Sequence, residues 1–234
     1  DKIAQQKGRR IVGCNDVFQQ LAEFEDSKNF QKRLRGVWQL QKSVSYCLFG
    51  SKKHLMNELF EKRSLPFYKF GDAVYLPKIG TEDWVNYICE RFKATKKEIS
   101  EELAGEICRI ADNHSSYVQQ LAWLVWIHTQ EVATTDNFAE ACQDIIDQNT
   151  PLFEKLTESL TTYQLNFLRA VLDGVHQEFT TSEVLQKYSL GSSANVSTIK
   201  RALIKKELIE MENKRVVISD PLLKIWLRKE LMNR

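Results

Sequence analysis

Three short apolar runs of strand length, each separated from the next by a single helical span, constrain the fold of this chain more than any other feature. They are Arg10-Ile11-Val12-Gly13-Cys14, Val44-Ser45-Tyr46-Cys47-Leu48-Phe49 and Ala73-Val74-Tyr75-Leu76. Between the first two, Val17, Leu21 and Phe24 recur at helical spacing, followed by Phe30, Leu34, Val37, Trp38 and Gln41 over residues 28–42. After the second run the period resumes with Leu55, Met56, Leu59 and Phe60. No hairpin signal links one run to the next, so the strands are expected to pair in parallel through crossovers. Such a sheet is expected to carry helices on both faces. Three strands make only part of one, and residues 1–80 read as half of an α/β domain.

The remainder is helical. Thr81 is expected to cap a helix through Trp84, Tyr87, Ile88 and Phe92, and Ser100 one through Leu103, Ile107 and Ile110. Ser115-Ser116 opens a third, and Thr135 or Asp136 a fourth through Phe138, Cys142, Ile145 and Ile146. Residues 81–150 thus form an all-α bundle. From Pro151 onward, helices are expected at 151–160, 162–173, 183–188 and 194–206, with a Gly191-Ser192-Ser193 turn before the last. Two short apolar runs, 208–211 and 215–218, flank Glu212-Asn213-Lys214 as a hairpin. Helix, helix, turn, helix, hairpin is the winged helix-turn-helix order, assigned to residues 151–234. The expected class is a partial parallel α/β sheet, then a helical lid bundle, then a winged helix, mostly α in sum.

Charge follows the same three blocks. Lys and Arg outnumber Asp and Glu 15 to 8 in residues 1–80, are outnumbered 5 to 13 in residues 81–150, and lead 13 to 10 in residues 151–234. The acidic run Glu98, Glu101, Glu102 and Glu106 reads as a solvated helix face, with an electrostatic contact to the basic first block as the alternative. No stretch reaches the roughly 18–20 uninterrupted apolar residues of a membrane helix, so no membrane role is expected. Five cysteines with no C-x-x-C pair read as buried free thiols in a reducing cytosol. His54, His114, His128 and His176 lack metal-ligand spacing, and Trp84, Trp123, Trp126 and Trp226 read as core or interface anchors.

A phosphate loop requires G-x-x-x-x-G-K-[ST], whose amides and Lys cradle phosphates. Gly8 and Gly13 have the spacing, but Cys14-Asn15 stands where Lys-Ser/Thr is needed. The chain alone is therefore expected to bind no nucleotide. What it offers is a strand ending in a carboxylate, Asn15-Asp16, which suits Mg²⁺ at a sheet's carboxyl edge and equally suits a helix cap.

Asp16-Val17-Phe18-Gln19 after that strand resembles the D-E-F-Q element of a prokaryotic family of P-loop ATPases related to the AAA and STAND classes. Residues 46–56, from Tyr46 through Gly50-Ser51-Lys52 to Met56, resemble the family's sensor strand, and Pro66-Phe67-Tyr68-Lys69 the element that follows. Tyr117-Val118-Gln119-Gln120-Leu121-Ala122 is similar to its lid-helix motif, and residues 219–228, opening Ser219-Asp220-Pro221, to its closing D-P-x-x-x-x-W-x-R element. The resemblance implies a nucleotide switch using ATP and Mg²⁺ in the complete protein. It makes Asp16 the Mg²⁺-binding acid, Ser51 the polar sensor near the γ-phosphate, and Lys69 the replacement for an Arg of many relatives. Val17 stands where the family has a water-orienting Glu, and Ser116 where a Pro precedes the lid Tyr, so weak hydrolysis is implied. The start at Asp1 rather than Met fits a carboxy-terminal piece, with self-association expected at the incomplete sheet edge.

The competing reading is a winged-helix DNA-binding transcriptional regulator with a helical regulatory domain. Lys200, Arg201, Lys205 and Lys206 on the recognition helix, and Lys214 and Arg215 at the wing, suit phosphates. Asn195, Ser197 and Thr198 suit base edges. Glu207, Glu210 and Glu212 crowd the same end, so a protein contact through the winged helix stands beside DNA.

Overall fold

The computed structural model describes residues 2–22, 25–51 and 53–232. Phe24, Lys52 and the side chain of His54, all named above, lie outside the described residues. The chain divides into two compact units, Asp1–Leu76 and Pro77–Arg234. Among the described residues no helix is long and apolar enough to cross a membrane.

In the first unit a short helix α1 (Lys2–Lys7), not legible from periodicity, ends at Gly8, whose φ of 57° turns the chain toward β1 (Ile11–Asn15). A 3₁₀ turn, Phe18–Ala22, replaces the helix expected from Val17 onward. The crossover helix α2 (Ser27–Trp38) then leads to β2 (Val44–Leu48), and α3 (Lys53–Glu61) follows. The two strands pair in parallel, Ile11 opposite Val44 through Asn15 opposite Leu48. Backbone bonds extend the ladder at both ends, from Ile11 N to Ser43 O and from Phe49 N to Asn15 O, each 3.0 Å.

One face of this small sheet meets a core in which Phe18, Leu59 and Phe67 are buried, with Leu34, Trp38, Leu48 and Phe70 packed around them. Trp38 stacks on Tyr46 of β2 at 4.1 Å between centroids. The other face is bare, contrary to the expectation of helices on both sides. Val12 is 63% exposed, and Cys14 and Cys47 are exposed free thiols rather than buried ones. The third run is a second correction: residues 73–76 form no strand. A strand is defined by its partner's amides and carbonyls, and none is offered here. Val74 and Leu76 are accordingly 81% and 88% exposed. Tyr75 ties the run to α3, its hydroxyl lying 3.0 Å from both Asn57 Oδ1 and Glu61 Oε1.

The second unit starts with four helices, α4 (Thr81–Ala94), α5 (Glu101–Ile110), α6 (Ser115–His128) and α7 (Thr135–Glu158). Ser100 caps α5 as expected, its side chain accepting from the Leu103 amide at 3.2 Å. Thr134, one residue before the expected pair, caps α7 in a reciprocal box with Asn137. Thr81 is no cap: Gly80 holds that position without a side-chain bond, and Thr81 Oγ1 accepts from Asn113 Nδ2 at 3.0 Å. Cys108 is buried, and Cys89 and Cys142 are half-buried. Trp84 and Trp226 are buried, but Trp123 is 55% exposed and lies outside the buried core.

The break expected at Pro151 is absent, because α7 runs straight through it. Proline removes an amide and loosens the preceding turn. In the turn before it, Asn149 Nδ2 donates to Ile145 O at 2.7 Å and Thr150 Oγ1 to Ile146 O at 2.9 Å. After α7 come α8 (Thr162–Leu172), α9 (Ser182–Lys187), α10 (Ser193–Lys205), the strands β3 (Ile209–Glu212) and β4 (Arg215–Ile218), and α11 (Pro221–Met232). Gly191 at φ 79° closes the turn before α10, and Asn213 and Lys214, at 48° and 66°, make the two-residue left-handed turn of a hairpin. Val216 N donates to His176 O at 2.9 Å, adding a strand-like contact on the outer side of β4. This is a winged helix. One continuous core, from Trp84 through Phe153 to Leu227, runs through the four-helix segment and the winged helix together.

Two strings singled out in the sequence, 103 residues apart, meet in that unit. The Tyr117 hydroxyl on α6 donates to Asp220 Oδ2 at 2.6 Å. The other oxygen of Asp220 accepts from the Leu222 and Leu223 amides at 2.8 and 3.0 Å and so caps α11. Burial, then the bond to Asp220, keeps the Tyr117 hydroxyl protonated well above the ordinary tyrosine range. A raised tyrosine pKa stabilises the fold fully below the unfolded value of about 10 and is lost as pH rises past it. Tyr117→Phe is expected to cost about 1–2 kcal/mol at neutral pH. Above about pH 10 the variant's urea midpoint should fall less steeply than that of the unmodified chain. Parallel midpoints from pH 7 to 11 would contradict the role given to this bond.

Candidate functional site

The parallel register decides which side chains share the carboxyl edge of the sheet. Asp16 follows directly on β1, and Gly50-Ser51 follow shortly after β2, so both arrive at the same end. The link persists past the strands, since Phe18 N donates to Phe49 O at 3.1 Å. Asp16 is exposed, and its Oδ1 accepts from the Val17 amide at 2.7 Å. That exposed carboxylate does not by itself make a metal site. Among the described residues no group of three or more His, Cys, Asp or Glu side chains converges on a point. The donor set therefore fits Mg²⁺ only as that ion is commonly held beside phosphates, by one or two carboxylates with phosphate oxygens and water completing six ligands.

Behind the edge sits a residue whose part the sequence reading left open. Gln19 is 2% exposed, and among the described residues its Oε1 has no hydrogen-bond partner. It lies against Gly50 so closely that a Cβ there would come within 1.8 Å of that oxygen. Glycine at 50 is thus what admits the amide beneath the edge. The signal available was the Gln that closes the Asp16-Val17-Phe18-Gln19 string.

Lys69 is not joined to this edge by any bond of its own. It is exposed, sits at φ 51°, donates its amide to Phe60 O at 3.0 Å, and holds its ammonium 5.7 Å from the Tyr68 ring. The turn around it is fixed from α2, where the Arg35 guanidinium donates to Pro66 O and Tyr68 O and lies 5.4 Å over Phe70.

In the winged helix, the candidate nucleic-acid residues divide by geometry. Ser197, Thr198, Arg201 and Lys205 are exposed along α10, Lys200 is half-buried, and Lys214 and Arg215 are exposed at the hairpin turn. Asn195 is committed elsewhere: its Nδ2 donates to Leu190 O at 2.8 Å and its amide to Ser192 Oγ at 3.3 Å. It locks the turn into α10 and is withdrawn from the residues available to read base edges. Thr198 Oγ1 turns back to Ala194 O at 3.3 Å.

Residues 151–229 match the family model described as a probable winged helix domain. A Walker-type ATPase of Pyrococcus abyssi superposes with a TM-score of 0.72 at 16% identity, over 97% of this chain and 65% of that one. The Aeropyrum pernix ORC2 protein, solved as ADPNP-ADP complexes, superposes with a TM-score of 0.59 at 12% identity, over 99% of this chain and 68% of that one. No curated protein matches the sequence. At these identities the likeness concerns fold: a P-loop ATPase-related arrangement ending in a winged helix. The chain spans about two thirds of the length of these two structures, 65% and 68%.

Val17 carries the sharpest local strain at the carboxyl edge. It has φ 51°, a left-handed conformation that costs a β-branched residue about 1–3 kcal/mol. Its side chain is 40% exposed, so little packing offsets that cost. Val17→Gly should relieve it and, after the larger unfolded-state entropy of glycine, raise stability by up to about 1 kcal/mol in urea titration. A loss of more than about 1 kcal/mol would show that the valine side chain, not the backbone turn, holds this edge.

Proposed function

We propose that the chain is the carboxy-terminal part of an AAA/STAND-like P-loop ATPase that works as a nucleotide-dependent switch. The observation that carries this reading is the carboxyl edge of β1–β2, where a strand-ending carboxylate and the polar end of the neighbouring strand arrive together. On this reading residues 1–80 are the second half of the ATPase core, 81–150 the lid and 151–234 the winged helix that reads or transmits the nucleotide state. Asp16 holds Mg²⁺, Ser51 senses the γ-phosphate, and Lys69 stands in for the arginine of relatives. ATP with Mg²⁺, in the complete protein, supplies the phosphoanhydride whose presence or cleavage distinguishes the two states.

The protein's own groups set how well that cleavage proceeds. Val17 can neither accept a proton nor orient water, and loss of such a group costs about 10²–10⁴ in rate. Binding with slow turnover suits a switch better than a motor. The open outer edges of the two strands are where further strands add, from the rest of the parent or from a second copy. The placement is cytoplasmic.

The winged helix is the contact module, for a partner protein or for DNA. Arg201 and Lys205 on α10 with Lys214 and Arg215 at the wing favour DNA as the second reading, that of a transcriptional regulator. Glu207, Glu210 and Glu212 at the same end weaken it, since like charge repels phosphate.

Calorimetry with Mg-ATP tests the first reading. The chain alone is expected to give no binding up to about 1 mM, about −4 kcal/mol. The parent protein containing a phosphate loop should bind and lose Mg²⁺-dependent affinity on Asp16→Ala. Sub-millimolar binding by the chain alone would overturn the assignment of its first unit. Gel shift on duplex DNA tests the second: no complex is expected at about 150 mM salt. A complex there that Arg201→Ala with Lys205→Ala abolishes would favour the regulator.

A further inference from the structure

Two of the five cysteines lie where the sequence pattern did not place them. Cys14 on β1 and Cys47 on β2 are direct partners in the parallel register, and both are exposed free thiols. Paired positions of adjacent strands point their side chains to the same face and sit about 4.8 Å apart between Cα atoms. That is inside the 4.4–6.8 Å window of natural disulfides, about 1 Å short of the commonest spacing. We propose that Cys14 and Cys47 form a reversible cross-strand disulfide, a peroxide-responsive modification site on the bare face of the sheet. The inference rests on the register and on exposure, and does not depend on the ATPase reading.

The step balances with hydrogen peroxide as oxidant. One thiolate attacks a peroxide oxygen, the O–O bond breaks, and the departing hydroxide takes a proton to become water, leaving a sulfenic acid. The second thiol attacks that sulfur, the S–S bond forms, and the sulfenic hydroxyl leaves with the thiol's proton as a second water. Two thiols lose two electrons, and one peroxide gains them. Because the strand spacing departs from the commonest disulfide geometry, the bond carries strain, and strained bridges are readily reduced. Reversibility of that kind is what a disulfide in a reducing compartment needs.

The remaining thiols compete poorly. Burial raises the Cys89 and Cys108 thiols and pushes Cys142 up to about 11, so few of them are thiolate at neutral pH. The bridge would also fix β1 to β2 two residues before Asp16, clamping the carboxyl edge. Oxidation would thereby act on the segment that carries Asp16 and Ser51.

The test is peptide mapping of the whole folded chain after mild hydrogen peroxide and alkylation. Trypsin places the two cysteines on separate peptides, residues 11–28 and 43–52. The expected product is those peptides joined within one chain, short of two hydrogens, and released by dithiothreitol. Alkylation of both thiols should fall together at least about tenfold on oxidation and recover on reduction. Cys14→Ser should abolish the bridge and leave Cys47 as a sulfenic acid trapped by dimedone, and Cys47→Ser the reverse. A chain with Cys89→Ser, Cys108→Ser and Cys142→Ser should still form it. No linked peptide while both thiols alkylate freely would overturn the proposal. So would linkage only between chains, or equal linkage in urea, where the register is gone.

Discussion

Parallel pairing of β1 with β2 is the constraint on which the first unit depends. It is made by few residues, Ile11 to Asn15 against Val44 to Leu48, yet it fixes three things together. It delivers Asp16 and Ser51 to one edge. It turns Tyr46 and Leu48 toward the aromatic core of Phe18, Phe67 and Trp38. It sets Cys14 beside Cys47 on the opposite, bare face. With a side-chain period of two, a slip of one residue would exchange the faces of one strand and undo all three. The second unit is built on a different principle, a single large core made mainly by helices, to which the β3–β4 hairpin adds Ile209, Val216 and Ile218.

Much of that architecture was legible from the chain. Helical spacing and capping residues located α5, α8 and α10 closely, and Asn213-Lys214 identified the hairpin because left-handed pairs favour such residues. These features are local, and local chemistry decides them. The resemblance strings proved physically connected in one instance, Tyr117 with Asp220. Periodicity gave no hint of that contact, since it joins residues 103 apart.

What was not legible was non-local. Ala73-Val74-Tyr75-Leu76 has the composition of a strand, but composition cannot supply a neighbouring ladder. Pro151 is an ordinary helix stop by its own chemistry, yet α7 continues through it. Cys14 and Cys47 looked buried because strand-type runs usually lie inside a covered sheet. Asn195 looked free to read bases until its bond to Leu190 O placed it in the turn. At the candidate site, Asp16 was named from a strand-ending carboxylate and Ser51 from the family resemblance alone, whereas the buried amide of Gln19 against Gly50 required coordinates.

The measurement that bears most directly on this account is the detection by NMR of couplings across backbone hydrogen bonds in the first unit. The register predicts signals from Ile11 N to the Ser43 carbonyl, from Phe49 N to that of Asn15, and from Phe18 N to that of Phe49. Those couplings in the chain alone would establish the parallel edge that gathers Asp16 and Ser51. Antiparallel couplings, or a register shifted by one residue, would contradict it and remove the geometric basis of both the proposed switch and the cysteine bridge.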